Sequence, residues 1–259
     1  MEIIECIINI SEGQNAEHIT YIVDAVRGTP ECFLLDFSSD KDHNRTVITF
    51  VGNRKSLLSA IKELYKRVLE RIDLRRHKGE HPRLGAVDVV PFVGIRDISL
   101  EDLVAFSKEV GKMVCDTYRV PVYFYEESQP MAERKNLANI RQGEFEGLAE
   151  KMKKPDWKPD LGETTPHPTA GASVIGARMP LIAFNVNLAT SSMEIANKIA
   201  RSARGISGGL SCVKAIGVEL KDRGIVQISM NLVNYKKSPL YRVFELIRRS
   251  GGLSQAEMD

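Results

Sequence analysis

Short apolar runs and longer amphipathic stretches alternate along the first 94 residues of the chain. The apolar runs have the length and composition of β-strands and occupy residues 3–10, 32–37, 46–52 and 86–94. In residues 16–28 and 54–74 the apolar side chains recur every three or four positions, which predicts two amphipathic helices. The predicted order is therefore β-α-β-β-α-β, the split pattern of ferredoxin-like units.

The second half of the chain repeats most of this order after an intervening segment. Helices at about 99–118 and 131–152 flank a short strand at 120–125, and residues 153–171 form a proline-rich loop. The order β-α-β-β-α then returns at residues 181–188, 191–204, 213–220, 225–232 and 238–249.

These patterns predict an α+β protein with two ferredoxin-like (βαββαβ) subdomains, residues 1–178 and 179–259. We expect antiparallel sheets with helices on their outer faces. The second subdomain lacks its last strand. An unpaired sheet edge is normally covered, so we expect a partner subunit at this edge or a truncated version of a longer chain.

Composition is that of an ordinary soluble globular protein, with 43% hydrophobic and 27% charged residues. A net charge of +2 gives no general attraction to nucleic acid, and strands 46–52 and 213–220 carry too few aromatic residues for an RNA-binding sheet. No Walker or GxGxxG motif is present. The four cysteines form no CxxC pair, which favours buried free thiols in a reducing compartment. Without a signal peptide or membrane span in the sequence, we expect a cytoplasmic protein with no membrane partner.

Residues 75–85 are the strongest candidate for chemistry, because charged side chains here follow a helix, precede a buried strand and are punctuated by glycine and proline. Histidine titrates nearest neutral pH, so His81 is the candidate general acid/base. Glu80 is placed to tune or orient it, and Arg83 is placed to bind an anion.

Two other interpretations apply to the same stretch. One is a solvated C-terminal end of a helix, in which a protonated His77 would complement the helix dipole. A metal shared by His77 and His81 is disfavoured because Gly79 and Pro82 interrupt a continuous helix and no third ligand motif is evident.

Three other segments offer polar groups. Asp40 and Arg45 belong to a polar cluster that is equally well explained as a hydrophilic hairpin loop. Arg178 follows a glycine-rich segment and offers a fork for a carboxylate. The loop at 162–171 is either a proline-stiffened linker or the wall of a ligand cleft.

Several strings together resemble the formiminotransferase family, and the resemblance extends from about residue 3 to about residue 249. They are ECIINISEG, DHNRTVITFVG, RHKGEHPRLGAVDVVPF, PVYFYEES, IRQGEFEGL, PDLGETTPHPTAGASVIGAR, LIAFNVNL, VKAIGVEL and QISMNL. The string GEHPRxGAxDVxPF is the most specific of them.

The resemblance implies an enzyme that transfers the formimino group from N-formimino-L-glutamate to tetrahydrofolate, giving 5-formiminotetrahydrofolate and glutamate, without a metal. It implies His81 as the catalytic histidine, and histidine degradation as the commonest setting. The folate-binding loop of the family corresponds to Gly162, Glu163, Thr164, Thr165, Pro166, His167, Pro168, Thr169, Ala170 and Gly171. For the anionic substrates we expect contacts from Asp40, Arg45, Arg83 and Arg178. We expect a homodimer.

The chain departs from the family pattern at Ser38, where other members have an aspartate. Two alternatives therefore stay open. One is formyl transfer that involves 5-formyltetrahydrofolate or N-formylglutamate, and the other is a folate-binding protein without turnover.

Overall fold

A six-stranded mixed sheet forms the centre of the first of two units in the computed structural model, which describes residues 2–220 and 223–250. The units are Met1–Arg178 and Met179–Asp259. The strands of the first unit are β1 (Ile3–Ile10), β2 (Cys32–Asp40), β3 (Arg45–Gly52), β4 (Val87–Arg96), β5 (Val122–Phe124) and β6 (Ser173–Ala177). Its α-helices are α1 (Ala16–Arg27), α2 (Arg54–Arg71), α3 (Leu100–Tyr118), α4 (Leu137–Arg141) and α5 (Glu144–Met152).

The strand order in this sheet is β2-β3-β1-β4-β6-β5. Strands β2, β3, β1 and β4 pair antiparallel, and with α1 and α2 they make the predicted ferredoxin-like unit. The expectation of an antiparallel sheet fails beyond β4, because β6 pairs parallel with both β4 and β5. Strand β6 was not predicted. It is only five residues long and lies in a glycine-rich segment without a clear periodicity.

Both faces of the sheet are covered on the β4-β6-β5 side. Val90 and Ile175 belong to the main core beneath α1, α2 and α3. Their neighbours Val89 and Val174 point the opposite way, into a smaller cluster that includes Ile140 of α4 and residues of α5. The predicted helix at 131–152 is thus two short helices, α4 and α5. Gly143, at φ +90°, separates them.

The second unit is a three-stranded antiparallel sheet in the described part of the chain. Its elements are β7 (Ile182–Leu188), α6 (Met193–Ala203), β8 (Val213–Leu220), β9 (Ile225–Leu232) and α7 (Leu240–Ser250). The strand order β7-β9-β8 is that of a ferredoxin-like unit without its fourth strand, so the predicted fold class is confirmed. The apolar faces of α6 and α7 enclose the core of this unit.

Because Gly85 has no side chain, its backbone packs directly against the backbone at Ala172, next to the loop that carries His81. A Cβ atom at this position would lie under 3.0 Å from the carbonyl oxygen of Ala172. Because backbone cannot rotate away as a side chain does, we expect Gly85→Ala to lower the free energy of unfolding by about 2 to 3 kcal/mol in urea denaturation. Gly147→Ala is the control. Nothing lies within 4 Å of its Cβ position in α5, and alanine there should stabilise by about 0.5 to 1 kcal/mol. Equal stability of Gly85→Ala and the wild type would refute this account of the close approach.

Candidate active site

His81 lies in the connection between α2 and β4, with only 6% of its surface exposed. The connection is tied down on both sides of the histidine. The N–H of Leu74 donates to the carbonyl of Thr169 at 2.8 Å, and the N–H of Ala86 donates to the carbonyl of Ala170 at 3.0 Å. A loop fixed at both ends holds its side chains at a defined place, as an acid/base group requires.

Asp88 is the charged group that faces this histidine. It stands in the buried strand β4 and is 1% exposed. Its Oδ1 accepts the N–H of Leu84 at 2.6 Å, and its Oδ2 lies 3.7 Å from Nε2 of His81. Burial raises the pKa of Asp88, but Arg141, His81 and the Leu84 N–H outweigh burial and hold it below its usual value. The buried carboxyl group is therefore an anion.

Two arginines from distant parts of the chain interact with this carboxylate, Arg141 by direct contact and Arg45 electrostatically. Arg141, the last residue of α4, donates through Nη2 to Oδ2 of Asp88. Burial lowers the pKa of Arg45, and the charge of Arg141 lowers it further. The nearby carboxylates of Asp40 and Asp88 act in the opposite direction. Arg141 is thus paired with Asp88 beside His81, and Arg45 is close enough to interact electrostatically with both Arg141 and Asp88.

This cluster has more donors than acceptors. Within the described residues, Nε of Arg45, Nε of Arg141 and Nε2 of His81 are buried without a hydrogen-bond partner. Buried donors normally find acceptors, and their lack is costly. An anionic ligand is the kind of molecule that this cluster would attract.

Lys151 of α5 anchors the helix that carries Arg141. Its Nζ donates to the backbone carbonyls of Asn139 at 2.7 Å, Ile140 at 2.7 Å and Gln142 at 3.1 Å. Burial, with the charges of Lys154 and Arg134, lowers the pKa of Lys151 to about 8. At neutral pH the ammonium is therefore still mostly protonated and has a proton for each carbonyl.

We expect Lys151→Met to lower the free energy of unfolding by about 2 to 3 kcal/mol, because carbonyls at the end of α4 lose their donor. Urea denaturation measures the change. Lys153→Met is the matched control: Lys153 is 68% exposed and pairs with Glu150, which is 76% exposed. Its loss should change stability by less than about 0.5 kcal/mol. Equal effects of the two variants would show that the three carbonyl contacts contribute nothing specific.

Arg83 is occupied by carboxylates of the protein itself. It donates to Glu144 at 2.9 Å and to both oxygens of Glu146, at 2.7 and 3.1 Å. Its Nε donates to Nδ1 of His77 at 3.0 Å. These contacts make Arg83 a structural residue that joins the loop to α5, and they lend no support to its expected contact with substrate.

His77 differs from the cationic helix cap that the sequence suggested. Helix α2 ends at Arg71, six positions earlier. Because Nδ1 of His77 accepts from Arg83, Nε2 carries the proton and donates to the carbonyl of Asn44 at 2.9 Å. Burial lowers the pKa of His77; Arg83 lowers it further, while the hydrogen bond to Asn44 opposes the shift. The imidazole is thus a neutral link between two loops.

The polar hairpin that contains Asp40 lies against the histidine loop. Asn44, at φ +48°, donates through Nδ2 to the carbonyl of Lys78 at 2.8 Å and accepts the N–H of Gly13 at 2.8 Å. The exposed Asp40 accepts the N–H groups of Asp42 and His43 at 3.0 and 2.9 Å. The hydrogen bonds from His43 lower the pKa of Asp40. Asp40 therefore orders the hairpin, beside Arg45 of β3.

The loop at 162–171 is held at its two ends and exposed between them. Gly162 and Gly171 have positive φ values of +94° and +67°. Gly171 exchanges two backbone hydrogen bonds with His167, at 2.8 and 2.9 Å. Between this loop and the end of α3 lies a cavity of about 390 Å³. Its lining consists of Cys115, Arg119, Gly162, Glu163, Thr165, Pro166, His167 and Pro168.

Arg178 follows β6, at the end of the first unit. Its backbone N–H donates to the carbonyl of Phe92 at 2.9 Å, and its guanidinium interacts electrostatically with Tyr125. Burial raises the pKa of the Tyr125 hydroxyl, which keeps this phenol neutral.

The structure thus places His81 beside Asp88, with which Arg45 interacts electrostatically. Asp88 and Arg141 are two residues that the sequence reasoning missed. The signal for Asp88 was present, because a carboxylate inside the apolar run Ala86–Phe92 must find a partner. Arg141 gave no such signal, since it stands in a short, mostly polar segment.

Across residues 2–220 and 223–250, no group of three or more His, Cys, Asp or Glu side chains is arranged to hold a metal ion. None of the helices in these ranges has the length and hydropathy of a membrane span. The four cysteines are free; Cys6 and Cys32 are buried, as the sequence predicted.

Comparison with known proteins gives matches over nearly the whole chain. Residues 3–178 match the model of the formiminotransferase domain, N-terminal subdomain, and residues 183–257 match that of the formiminotransferase domain. The chain is 50% identical to a glutamate formimidoyltransferase of Streptococcus pyogenes serotype M1, over 95% of this chain and 83% of the relative. It is 45% identical to a glutamate formimidoyltransferase of Thermoplasma acidophilum, over 96% and 82%.

A longer relative matches over part of its length. The formimidoyltransferase-cyclodeaminase of Rattus norvegicus is 41% identical, over 96% of this chain and 47% of the relative. Among solved structures, the periplasmic protease PqqL of Escherichia coli aligns with 96% of this chain and 34% of its own, at 8% identity and a TM-score of 0.20.

Proposed function

The chain belongs to the formiminotransferase family, and we propose that it transfers the formimino group of N-formimino-L-glutamate to tetrahydrofolate. Its relatives at 50% and 45% identity are named glutamate formimidoyltransferases, and each match covers more than four fifths of the relative. In this proposal tetrahydrofolate is a co-substrate, and the products are 5-formiminotetrahydrofolate and glutamate.

The placement of His81 is the observation that carries the proposal. The transfer begins when the amine of tetrahydrofolate attacks the amidine carbon. The new C–N bond leaves a proton on the attacking nitrogen, and the departing glutamate nitrogen needs a proton when its own bond to that carbon breaks. A single imidazole in a fixed loop can accept the first proton and deliver it to the leaving nitrogen. His81 is buried, held at both sides and next to an ionised carboxylate.

Charge around this histidine suits the donor substrate. N-formimino-L-glutamate carries its α-carboxylate two bonds from the nitrogen that leaves, whereas the carboxylates of tetrahydrofolate are remote from its reacting amine. A cation close to His81 is therefore placed for the donor. Arg45 lies within electrostatic reach of Asp88 and has an unmet buried donor. In our proposal Arg45 binds a donor carboxylate.

The loop of residues 162–171 is our proposed folate site, and Arg178, which follows β6, is proposed to contact the substrates too. Support comes from the fixed glycine ends of the loop, its exposed centre and the cavity behind it. The first unit, 1–178, thereby carries both the histidine and the folate loop. Asp40 has a lesser part, as the carboxylate beside Arg45.

An assay with purified protein tests the function directly. We would mix it with tetrahydrofolate and N-formimino-L-glutamate and follow 5-formiminotetrahydrofolate by absorbance, with N-formyl-L-glutamate as the comparison donor. Faster turnover of the formimino donor is expected. Turnover of the formyl donor alone, or tight folate binding without turnover of either, would overturn the proposal.

A homodimer, a cytoplasmic location and a place in histidine degradation remain predictions from the family. Size-exclusion chromatography with light scattering tests the first of them. A clean monomer at high concentration would refute the dimer.

A further inference from the structure

We infer that Asp88 and Arg141 are positioning residues for His81. The Asp88 carboxylate holds the Nε2–H of the imidazole, so Nδ1 is the atom that accepts and returns the proton. Arg141 keeps the carboxylate in place. This inference rests on the proposed function, which it deepens by assigning the two ring nitrogens of His81.

The geometry leaves each ring nitrogen a different environment. Nε2 of His81 is buried and lies 3.7 Å from Oδ2 of Asp88, without a hydrogen bond to any described residue. That distance exceeds a hydrogen bond, but catalytic hydrogen bonds are often long before substrate binds. A small rotation of the ring toward Oδ2 completes the contact. Because Nε2 is buried and faces Asp88, our inference assigns the contact with substrate to Nδ1.

Contacts other than the imidazole hold the Asp88 carboxylate in its position. Oδ1 is bound to the Leu84 N–H at 2.6 Å, and Arg141 donates to Oδ2, the same oxygen that faces His81. Lys151 in turn stabilises the position of Arg141, because it donates to three backbone carbonyls at the end of α4. The orientation of Asp88 is thus determined by Leu84 and Arg141 and does not depend on contact with the imidazole.

Charge explains why an ionised carboxylate at this place helps the reaction. When Nδ1 takes the proton from the attacking amine, the ring becomes an imidazolium with a proton on each nitrogen. The Asp88 anion stabilises that cation until Nδ1 returns its proton to the leaving glutamate nitrogen, after which the ring is neutral again. The other ionisable groups that interact electrostatically with Asp88 are Arg45 on β3, Arg141 on α4 and Tyr65 on α2. Tyr125, after β5, interacts with Arg141.

The competing explanation is that Asp88 has a purely structural role. A second aspartate of the chain, Asp160, has similar partners and serves as the control that distinguishes a structural role from a positioning role. Arg134 donates to one oxygen of Asp160, whose other oxygen accepts the N–H of Phe124 at 2.7 Å. Asp160 therefore has the same two kinds of partner as Asp88, an arginine and a backbone N–H. Among the described residues, the hydrogen bonds and the ion pair of Asp160 involve no histidine.

The first experiment compares Asp88→Asn with Asp160→Asn in steady-state kinetics across pH. We expect Asp88→Asn to lower kcat about 100-fold. We also expect it to move the acidic limb of the kcat/KM profile to lower pH, because the protonated ring has lost its anionic partner. Asp160→Asn should keep the wild-type profile even if it is less stable. An Asp88→Asn profile that coincides with the wild type would overturn the inference.

The second experiment does not depend on turnover. Long-range ¹H–¹⁵N correlation spectra of the wild-type protein report the tautomer of the neutral His81 ring, with His81→Gln used to assign its signals. We expect the proton on Nε2. A ring with its proton on Nδ1 would overturn the assignment whether or not the protein transfers formimino groups. If the assay finds no transfer while Nε2 carries the proton, the positioning stands and the proposed reaction fails.

Discussion

We expect His81→Gln to lower kcat of the formimino transfer by about 100- to 10,000-fold, the usual range for removal of a general acid/base. Glutamine has nearly the size of histidine and can hydrogen-bond to Asp88, but it cannot carry a proton from the attacking to the leaving nitrogen. The KM values should change little, because the imidazole is proposed to act on the reacting nitrogens and not on the substrate carboxylates. Initial rates over a matrix of both substrate concentrations measure these values.

His18→Gln is the control for this variant. His18 lies on α1 of the same unit, where its Nδ1 is 3.5 Å from Glu12. It belongs to no part of the proposed site, so kcat should stay within a factor of about two. If His81→Gln kept the wild-type kcat, His81 would not be the proton carrier.

We expect Arg45→Met to raise the KM for N-formimino-L-glutamate by about 10- to 100-fold, the loss associated with one charged hydrogen bond. The KM for tetrahydrofolate should stay within a factor of about three, because its carboxylates are remote from the reacting amine. Methionine keeps most of the aliphatic volume of the arginine and removes its charge. Each KM is measured with the other substrate saturating, and the KM that rises identifies the substrate that Arg45 binds.

Arg27→Met is the matched control for Arg45→Met. Arg27 lies at the end of α1 and pairs with the exposed Asp24. Neither KM should change in this variant. An equal rise of both KM values in Arg45→Met would point to a general electrostatic effect, and a rise for tetrahydrofolate alone would assign Arg45 to the folate instead.

Most of the fold was predictable because its elements have local signatures. Alternating buried and half-buried positions in β3 show the period of a strand with one core face. Asn15, Asn53 and Ser99 cap α1, α2 and α3 through their side chains. Strand β6 escaped prediction because it is short and all of its residues are buried, so no periodicity distinguishes its faces.

The site was predictable only in part. The loop around His81 was recognisable from its glycines, its proline and its charges, and from its resemblance to one family. The partner of Arg83 could not be predicted from the sequence. An arginine that follows a histidine motif has the same sequence pattern whether it binds Glu146 or a substrate. Arg141 meets Asp88 across 53 positions of sequence, which no pattern along one chain records.

The sequence by itself therefore determined the order of strands and helices, the two ferredoxin-like units and the candidate histidine. These depend on periodicity and turn chemistry, which act over a few residues. Only the tertiary structure decided that β6 enters the first sheet in parallel, that Arg83 is occupied, and that Arg141 and Asp88 meet at His81. A buried charge must be paired, but which of many distant charges becomes its partner depends on how the packed elements meet in space.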